Sequence, residues 1–126
     1  MRALIIDDSR TVRAVVRAHL AALGFDVAEA ADGREGLGRL RTGGAVDVML
    51  VDWNMPVMDG LEFVRTVRAD AAFDRVPVVM VTTESGVGSV AAALNAGATE
   101  YVMKPFTRDV LDQKLRLAGL DLHPTS

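Results

Sequence analysis

The sequence contains no cysteine, which excludes disulfide bonds, thiolate metal sites and cysteine nucleophiles. Imidazole is almost as scarce, because His19 and His123 are the only two histidines in the chain. Any metal site in this protein must therefore be built from oxygen ligands, which suit hard cations.

The sequence also lacks an excess of either charge: 14 Lys and Arg stand against 17 Asp and Glu, for a net charge of −3. Such a balance gives no global attraction to nucleic acid or to an anionic membrane. The N-terminus opens into Arg2 and an apolar strand, without the pattern of a signal peptide. We therefore expect a monomeric cytoplasmic protein that binds neither nucleic acid nor a membrane.

No repeat, linker or low-complexity segment divides the 126 residues, and this length is common for one domain. We expect a single domain over residues 1–120, followed by a short unstructured tail over residues 121–126.

The most informative stretch is residues 46–60, VDVMLVDWNMPVMDG. A nearly continuous apolar run reaches Asp52 and then enters a loop that contains Pro56 and Gly60. This pattern favours a buried strand that ends in a carboxylate, although a short buried helix also fits an apolar run of this length. A carboxylate beside a dry core is costly, so Asp52 is either satisfied by the loop or kept for chemistry.

The rest of the chain alternates apolar runs with segments of helical spacing. The apolar runs predict strands at residues 3–6, 25–30, 46–51, 76–81 and 99–103. The helical spacing predicts helices that begin at or directly after Ser9, Asp32, Asp59, Ser85 and Thr107. Five strands alternating with five helices predict an α/β fold, in which a parallel sheet is covered on both faces.

The polarity of the strands predicts their order in the sheet. Strands one, three and four are unbroken apolar runs, as interior parallel strands are, whereas strands two and five are mixed. Placing the mixed strands at the edges gives the order 2-1-3-4-5 of the doubly wound, flavodoxin-like (β/α)5 fold. In that fold, ligands bind beyond the carboxyl ends of strands one and three.

Three aspartates lie at this expected binding edge: Asp7 and Asp8 follow strand one, and Asp52 follows strand three. Neighbouring strands are about 4.8 Å apart, and two charges about 5 Å apart repel by roughly 3 kcal/mol at an effective dielectric near 20. The acids therefore need a cation, a shifted pKa or both. A site that has few oxygen ligands and room for water molecules suits Mg²⁺ or Mn²⁺. Alternatively, one of Asp7 and Asp8 merely caps the first helix.

Two further side chains point to phosphoryl chemistry. Thr82 ends strand four and Lys104 follows strand five, so a hydroxyl and an ammonium lie across the same cleft from Asp52. Acids, metal and lysine together stabilise charge on phosphoryl oxygens, and Asp52 is placed to form an acyl phosphate. Taken singly, Thr82 is more typical of a strand-end cap and Lys104 of a solvated surface lysine. Their convergence with the acids favours function.

Four motifs in this order resemble the receiver domain of two-component response regulators, most closely the stand-alone chemotaxis type, over essentially the whole chain. They are Asp7-Asp8, DWNMPVMDG around Asp52, VTTE around Thr82, and YVMKPF at residues 101–106. The resemblance implies that a sensor histidine kinase phosphorylates Asp52. The chain would then be no enzyme in the ordinary sense, since it catalyses only its own phosphorylation and dephosphorylation.

The resemblance also implies roles for the residues around Asp52. Mg²⁺ would be held by Asp8, Asp52 and the main-chain carbonyl of Asn54, with Asp7 acting through water. Lys104 would contact the phosphoryl group and be positioned by a cis peptide to Pro105.

The output step follows from the same resemblance. Thr82 would bond a phosphoryl oxygen and draw its loop inward, and Tyr101 would turn from an exposed position toward the vacated space. Helix four, strand five and helix five would form the face that binds a downstream protein, such as a flagellar switch. The candidates on this face are Val90, Leu94, Tyr101, Met103, Lys114 and Leu117.

Two departures from the receiver pattern affect the expected function. Thr83 stands where receivers usually carry Ala or Gly, so we expect a narrower cleft and slower phosphotransfer or hydrolysis. Helix four begins Ser85-Gly86-Val87-Gly88, without the lysines expected of a close flagellar-motor regulator.

Two other functions compete with the signalling hypothesis. One is a Mg²⁺-dependent phosphatase with an aspartyl nucleophile, as in the haloacid dehalogenase group, but Asp7-Asp8-Ser9 lacks the Asp-x-Asp spacing of that group. The other is a receiver-like scaffold that is not phosphorylated. The complete set of acids, threonine and lysine argues against a scaffold.

Overall fold

The computed structural model describes residues 1–83 and 87–122, which contain a five-stranded parallel sheet. The strands are β1 (Arg2–Ile6), β2 (Asp26–Ala30), β3 (Val48–Asp52), β4 (Val78–Thr82) and β5 (Glu100–Met103). Their order is β2-β1-β3-β4-β5, and all four pairings are parallel. The predicted α/β class and strand order are therefore confirmed.

Five α-helices connect and follow these strands. They are α1 (Arg10–Ala22), α2 (Gly33–Thr42), α3 (Gly60–Arg68), α4 (Val87–Ala96) and α5 (Arg108–Leu117). A 3₁₀ turn at Ala71–Phe73 was not predicted from the sequence. The predicted start of the fourth helix at Ser85 lies outside the described residues. Within residues 1–83 and 87–122, no helix is both long enough and apolar enough to cross a membrane.

The helix starts follow the capping pattern of the sequence. Side-chain oxygens of Asp32 and Asp59 accept the N–H groups of Glu35 and Glu62, each at 2.8 Å. The hydroxyl of Thr107 does the same for the first turn of α5, at 3.2 Å. Each contact satisfies a main-chain donor that the helix itself leaves unpaired.

The helices form a layer on each face of the sheet. Ile5 belongs to a core cluster with residues of α1 and α5, whereas the next residue, Ile6, belongs to a cluster with residues of α2, α3 and α4. This division follows from the two-residue period of a strand, which sends successive side chains to opposite faces. All five residues of β3 and all five of β4 are buried, as expected for interior strands.

The bounds of the strands differ from the predicted ranges by one or two residues. Strand β3 begins at Val48 rather than at residue 46, and the Asp47 carboxylate accepts the main-chain N–H of Arg2 at 2.7 Å. Leu122 is only 3% exposed and packs with the core on the α1 and α5 side. Leu122, within the tail expected at residues 121–126, therefore covers part of that layer, and the domain boundary at residue 120 stays a prediction.

Gly60 allows the loop after β3 to close tightly on the strand. Its N–H donates to the Trp53 carbonyl at 2.8 Å. A Cβ atom at this position would lie 2.3 Å from the carbonyl oxygen of Asp52. Since the obstructing atoms belong to the main chain, no side-chain rotation can relieve the contact.

We predict that Gly60→Ala lowers the free energy of unfolding by about 1–3 kcal/mol, because the main chain must move. The control is Gly38→Ala in α2, where a Cβ atom meets no atom within 4 Å. That change should instead stabilise the protein by up to about 1 kcal/mol, the difference in helix propensity. Urea unfolding followed by Trp53 fluorescence measures both values, and equal stabilities for the two variants would contradict the prediction.

Candidate functional site

The three predicted aspartates lie together at the carboxyl edge of the sheet. Ile6 of β1 pairs in register with Val51 of β3, so the residues that follow, Asp7 and Asp52, lie side by side. Carboxylate oxygens of Asp7, Asp8 and Asp52 all lie within 4.8 Å of one another. Asp7 is 3% exposed and Asp52 is 7% exposed, whereas Asp8 is exposed to solvent. The cleft therefore has two acids in its floor and one at its mouth.

Asp7 is held by contacts at several of its atoms. Its Oδ1 accepts the N–H of Ser9 at 2.9 Å, and its main-chain carbonyl accepts Nη1 of Arg13 at 2.6 Å. Ser9, not an aspartate, caps α1, because its hydroxyl accepts the N–H of Val12 at 3.2 Å. The alternative that Asp7 or Asp8 is the cap of the first helix is therefore wrong.

Lys104 supplies the positive charge of the cleft. Its Nζ lies 2.9 Å from Oδ2 of Asp7 and 3.3 Å from Oδ1 of Asp52. Its main-chain N–H donates to the carbonyl of Thr82 at 2.9 Å, which ties the end of β5 to the end of β4. The peptide between Lys104 and Pro105 is cis, the isomer that the sequence resemblance implies.

The electrostatics of the cleft are unbalanced. Burial raises the pKa of Asp52, and the nearby charge of Asp7 raises it further, while Lys104 partly opposes both effects. Burial alone would lower the pKa of Lys104, but its hydrogen bond and charge interactions with Asp7 and Asp52 outweigh burial and raise it. The lysine therefore stays protonated, and a single ammonium does not offset the cost of ionising Asp52.

Three other predicted residues lie at or shortly after the carboxyl ends of β3 and β4. Thr82 is fully buried at the end of β4, one residue beyond the position that pairs with Asp52. Asn54 is exposed in the loop that follows Asp52. Thr83 is exposed directly after the strand, and its expected effect on phosphotransfer stays a prediction.

The predicted partner face forms an open groove between α4, β5 and α5. The groove has a volume of about 940 Å³, and five of the six predicted residues line it: Val90, Leu94, Tyr101, Met103 and Lys114. The sixth, Leu117, is 63% exposed on α5 and is not among the lining residues. Lys114 also forms an ion pair with Glu100 at 3.3 Å.

Tyr101 lies inward in this structure. It is buried and packs with the core cluster that includes residues of α3 and α4. The exposed starting position that the resemblance implies is therefore not the one seen here. A role for Tyr101 as a switch would require phosphorylation to change the populations of its inward and outward side-chain orientations.

A second, smaller groove of about 360 Å³ lies beside Lys104 on the α1 side. Its lining residues are Thr11, Val12, Val15, Val16, Thr83, Lys104, Pro105 and Phe106. Pro105 and Phe106 also line the larger groove, so the segment between β5 and α5 borders both.

Sequence reasoning missed Arg13, which contacts the main chain of Asp7. A basic residue in the first turn of a helix that directly follows two acids was the available signal. It was insufficient because such a residue is more often solvated than aimed back at the strand end.

Comparison with known proteins agrees with this geometry. The family model for the response regulator receiver domain matches residues 3–116. The chain is 43% identical to the chemotaxis protein CheY1 of Helicobacter pylori over 118 residues, which cover 93% of this chain and 95% of the relative. It is 46% identical to a chemotaxis protein CheY homolog of Campylobacter jejuni, over 91% of this chain and 89% of the relative.

A solved structure shows the same likeness in three dimensions. The chemotaxis response regulator CheY4 of Vibrio cholerae superposes with a TM-score of 0.87 at 37% identity, covering 93% of this chain and 97% of that chain. Sequence, fold and the cluster of three aspartates with a lysine thus lead to one conclusion: the chain belongs to the response regulator receiver domain family.

Proposed function

We propose that the protein receives a phosphoryl group on Asp52 from a sensor histidine kinase in chemotaxis or a related two-component pathway of the cytoplasm. The observation that carries this proposal is the Asp52 carboxylate, buried at the carboxyl edge of the sheet with the Lys104 ammonium 3.3 Å away. The receiver family and the chemotaxis names of the relatives support it. On this proposal, the protein catalyses only its own phosphorylation and dephosphorylation.

The cleft fits a small divalent cation held by oxygen. Three carboxylates within 4.8 Å of one another supply hard ligands, and burial together with the charge of Asp7 raises the pKa of Asp52 in spite of Lys104. In the proposal, Asp8, Asp52 and the main-chain carbonyl of Asn54 hold Mg²⁺ or Mn²⁺, and Asp7 acts through water. Such an ion withdraws charge from the oxygens of a transferring phosphoryl group.

The residues of the cleft account for the transfer step. A carboxylate oxygen of Asp52 attacks the phosphorus, and the bond between phosphorus and the imidazole nitrogen of the donor breaks. The electron pair of that bond stays on the imidazole nitrogen, and the donor histidine leaves as a neutral imidazole because its other ring nitrogen carries a proton. Lys104, kept protonated by Asp7 and Asp52, donates a hydrogen bond to a phosphoryl oxygen and reduces its charge.

The proposed output is a change in the groove between α4, β5 and α5. Thr82 lies at the end of β4 and its carbonyl accepts the N–H of Lys104, so a movement of Thr82 toward a phosphoryl oxygen pulls on β5. Tyr101, in the middle of β5, lines the groove. Phosphorylation would shift the population of groove shapes and hence the affinity for a downstream protein. The acting species is a monomer in this proposal.

The two alternatives weighed from the sequence are not favoured by the family match. An aspartyl phosphatase would turn over diverse phosphate esters at a steady rate. A scaffold would form no phosphoryl adduct at all. The same phosphorylation experiment therefore separates all three functions.

We predict that incubation with Mg²⁺ and a small phosphodonor adds one phosphoryl group to the protein, and that Asp52→Asn abolishes this adduct because the nucleophile is lost. Intact mass spectrometry measures the adduct. Asp26→Asn, which changes an exposed aspartate at the start of β2, is the control and should leave the adduct unchanged. An adduct of equal yield in Asp52→Asn would contradict the assignment of the acceptor.

We predict that Asp52→Asn, without Mg²⁺, is more stable than the wild type at neutral pH. Between the ordinary pKa of 3.8 and the raised pKa, the native wild type keeps a proton that the unfolded chain has released. Wild-type stability therefore falls as pH rises through this window, by about 1.4 kcal/mol for each pH unit that separates the two pKa values. The advantage of the variant should widen across the window and then stay constant.

Urea unfolding at a series of pH values, followed by Trp53 fluorescence, measures this difference. Added Mg²⁺ should stabilise the wild type more than the variant, since the ion offsets the charge that the variant lacks. A stability advantage that shrinks with rising pH would contradict the raised pKa of Asp52.

We predict that Thr82→Ala still accepts the phosphoryl group but no longer transmits the change to the groove. Hydrogen exchange at residues 90–103, compared with and without phosphodonor, measures the transmission. Thr83→Ala is the matched control, since the neighbouring hydroxyl is exposed, and it should keep the response. An undiminished response in phosphorylated Thr82→Ala would remove Thr82 from the switch.

A further inference from the structure

Arg13 connects the acidic cleft to the edge strand β2. From the first turn of α1, its Nη1 donates to the main-chain carbonyl of Asp7 at 2.6 Å. Its Nε donates to Oε1 of Glu29 in β2 at 3.0 Å. The Arg13 side chain is 16% exposed and that of Glu29 is 30% exposed, so both contacts are partly buried. The guanidinium is thereby fixed in one orientation behind the aspartates.

The contact matters because Asp8 has little else to hold it. Within the described part of the chain, the Asp8 side chain forms no hydrogen bond or ion pair, so its position depends on the main chain of the turn. The carbonyl that accepts the hydrogen bond from Arg13 belongs to the peptide that joins Asp7 to Asp8. Arg13 therefore sets the orientation of that peptide, and with it the direction in which the Asp8 carboxylate leaves the turn.

We infer that Arg13 is a positioning residue for the cation site, acting through the Asp7–Asp8 peptide and itself oriented by Glu29. The inference rests on the proposed function, because it concerns the site in which Asp8 and Asp52 hold Mg²⁺. Groups behind the ligands of a metal site orient those ligands, and their loss weakens metal binding by about 10–100-fold. Arg13 touches the main chain rather than a ligand carboxylate, which places it at the lower end of this range.

If Arg13 acted only through its positive charge, its loss would have the opposite effect on Mg²⁺ affinity. A guanidinium near the cleft repels a divalent cation, so removing its charge without any loss of positioning would strengthen Mg²⁺ binding. The sign of the change in affinity therefore separates the two roles of Arg13.

Arg17 provides a matched control one turn further along α1. It also binds Glu29, through Oε2, and its Nη2 donates to the carbonyl of Val27 at 3.2 Å. Both of these acceptors belong to β2, and the Arg17 side chain is about half exposed. A variant of Arg17 thus loses the same partner carboxylate and the same charge but leaves the Asp7–Asp8 turn untouched.

The experiment is a titration of the purified protein with MgCl₂, followed by the fluorescence of Trp53 beside Asp52. We expect Arg13→Met and Arg13→Lys each to weaken Mg²⁺ binding by about tenfold, since lysine keeps the charge but cannot span both acceptors. Arg17→Met should leave the affinity unchanged. Tighter or unchanged binding in Arg13→Met, or an equal loss in Arg17→Met, would overturn the inference.

A second readout needs no metal. The N–H of Asp7 donates to the carbonyl of Ala30 at 3.1 Å, and the N–H of Ser9 donates to Asp7. Without Mg²⁺, Arg13→Met should speed hydrogen exchange at these two amides, while Arg17→Met should not. Exchange that is equally slow in both variants would overturn the inference about Arg13 but leave the proposed function standing. A wild type that binds no Mg²⁺ would remove both the proposed function and the inference.

Discussion

The structure depends on the charge balance at one edge of the sheet, where three carboxylates meet a single ammonium. Parallel pairing brings the ends of β1 and β3 side by side, so the acids cannot avoid one another. Lys104 crosses from the end of β5 to contact Asp7 and Asp52, which relieves part of the repulsion. The remaining excess of negative charge suits the cleft to a cation, as the proposed function requires.

The framework around this edge is built to keep the acids in place. Both interior strands are buried throughout, and helices cover the sheet on both faces, so the strand ends have little freedom to separate. Gly60 lets the loop after Asp52 pass against the main chain of the strand. Ser9 and Asp7 fix the start of α1 on the other side of the cleft. A site of high electrostatic cost is thus supported by local contacts on every side.

Much of the fold and part of the site could be predicted from the sequence, because both follow from short-range patterns. Apolar runs and capping residues predict the elements, and the edge rule for parallel sheets brings Asp7 and Asp52 together. The burial of Leu122 and the hydrogen bond from Arg13 to the Asp7 carbonyl could not be predicted. Each depends on contacts between elements that form only in the folded chain. The inward position of Tyr101 likewise depends on packing between β5 and the helices rather than on the sequence of β5.

The two grooves share a wall made of Pro105 and Phe106. Phe106 also stacks at a tilt on His19 of α1, with ring centres 5.9 Å apart, so this wall is anchored to α1 as well as to β5 and α5. A molecule bound in either groove would contact Pro105 and Phe106. Two ligands, one in each groove, would therefore contact opposite sides of one wall without touching each other.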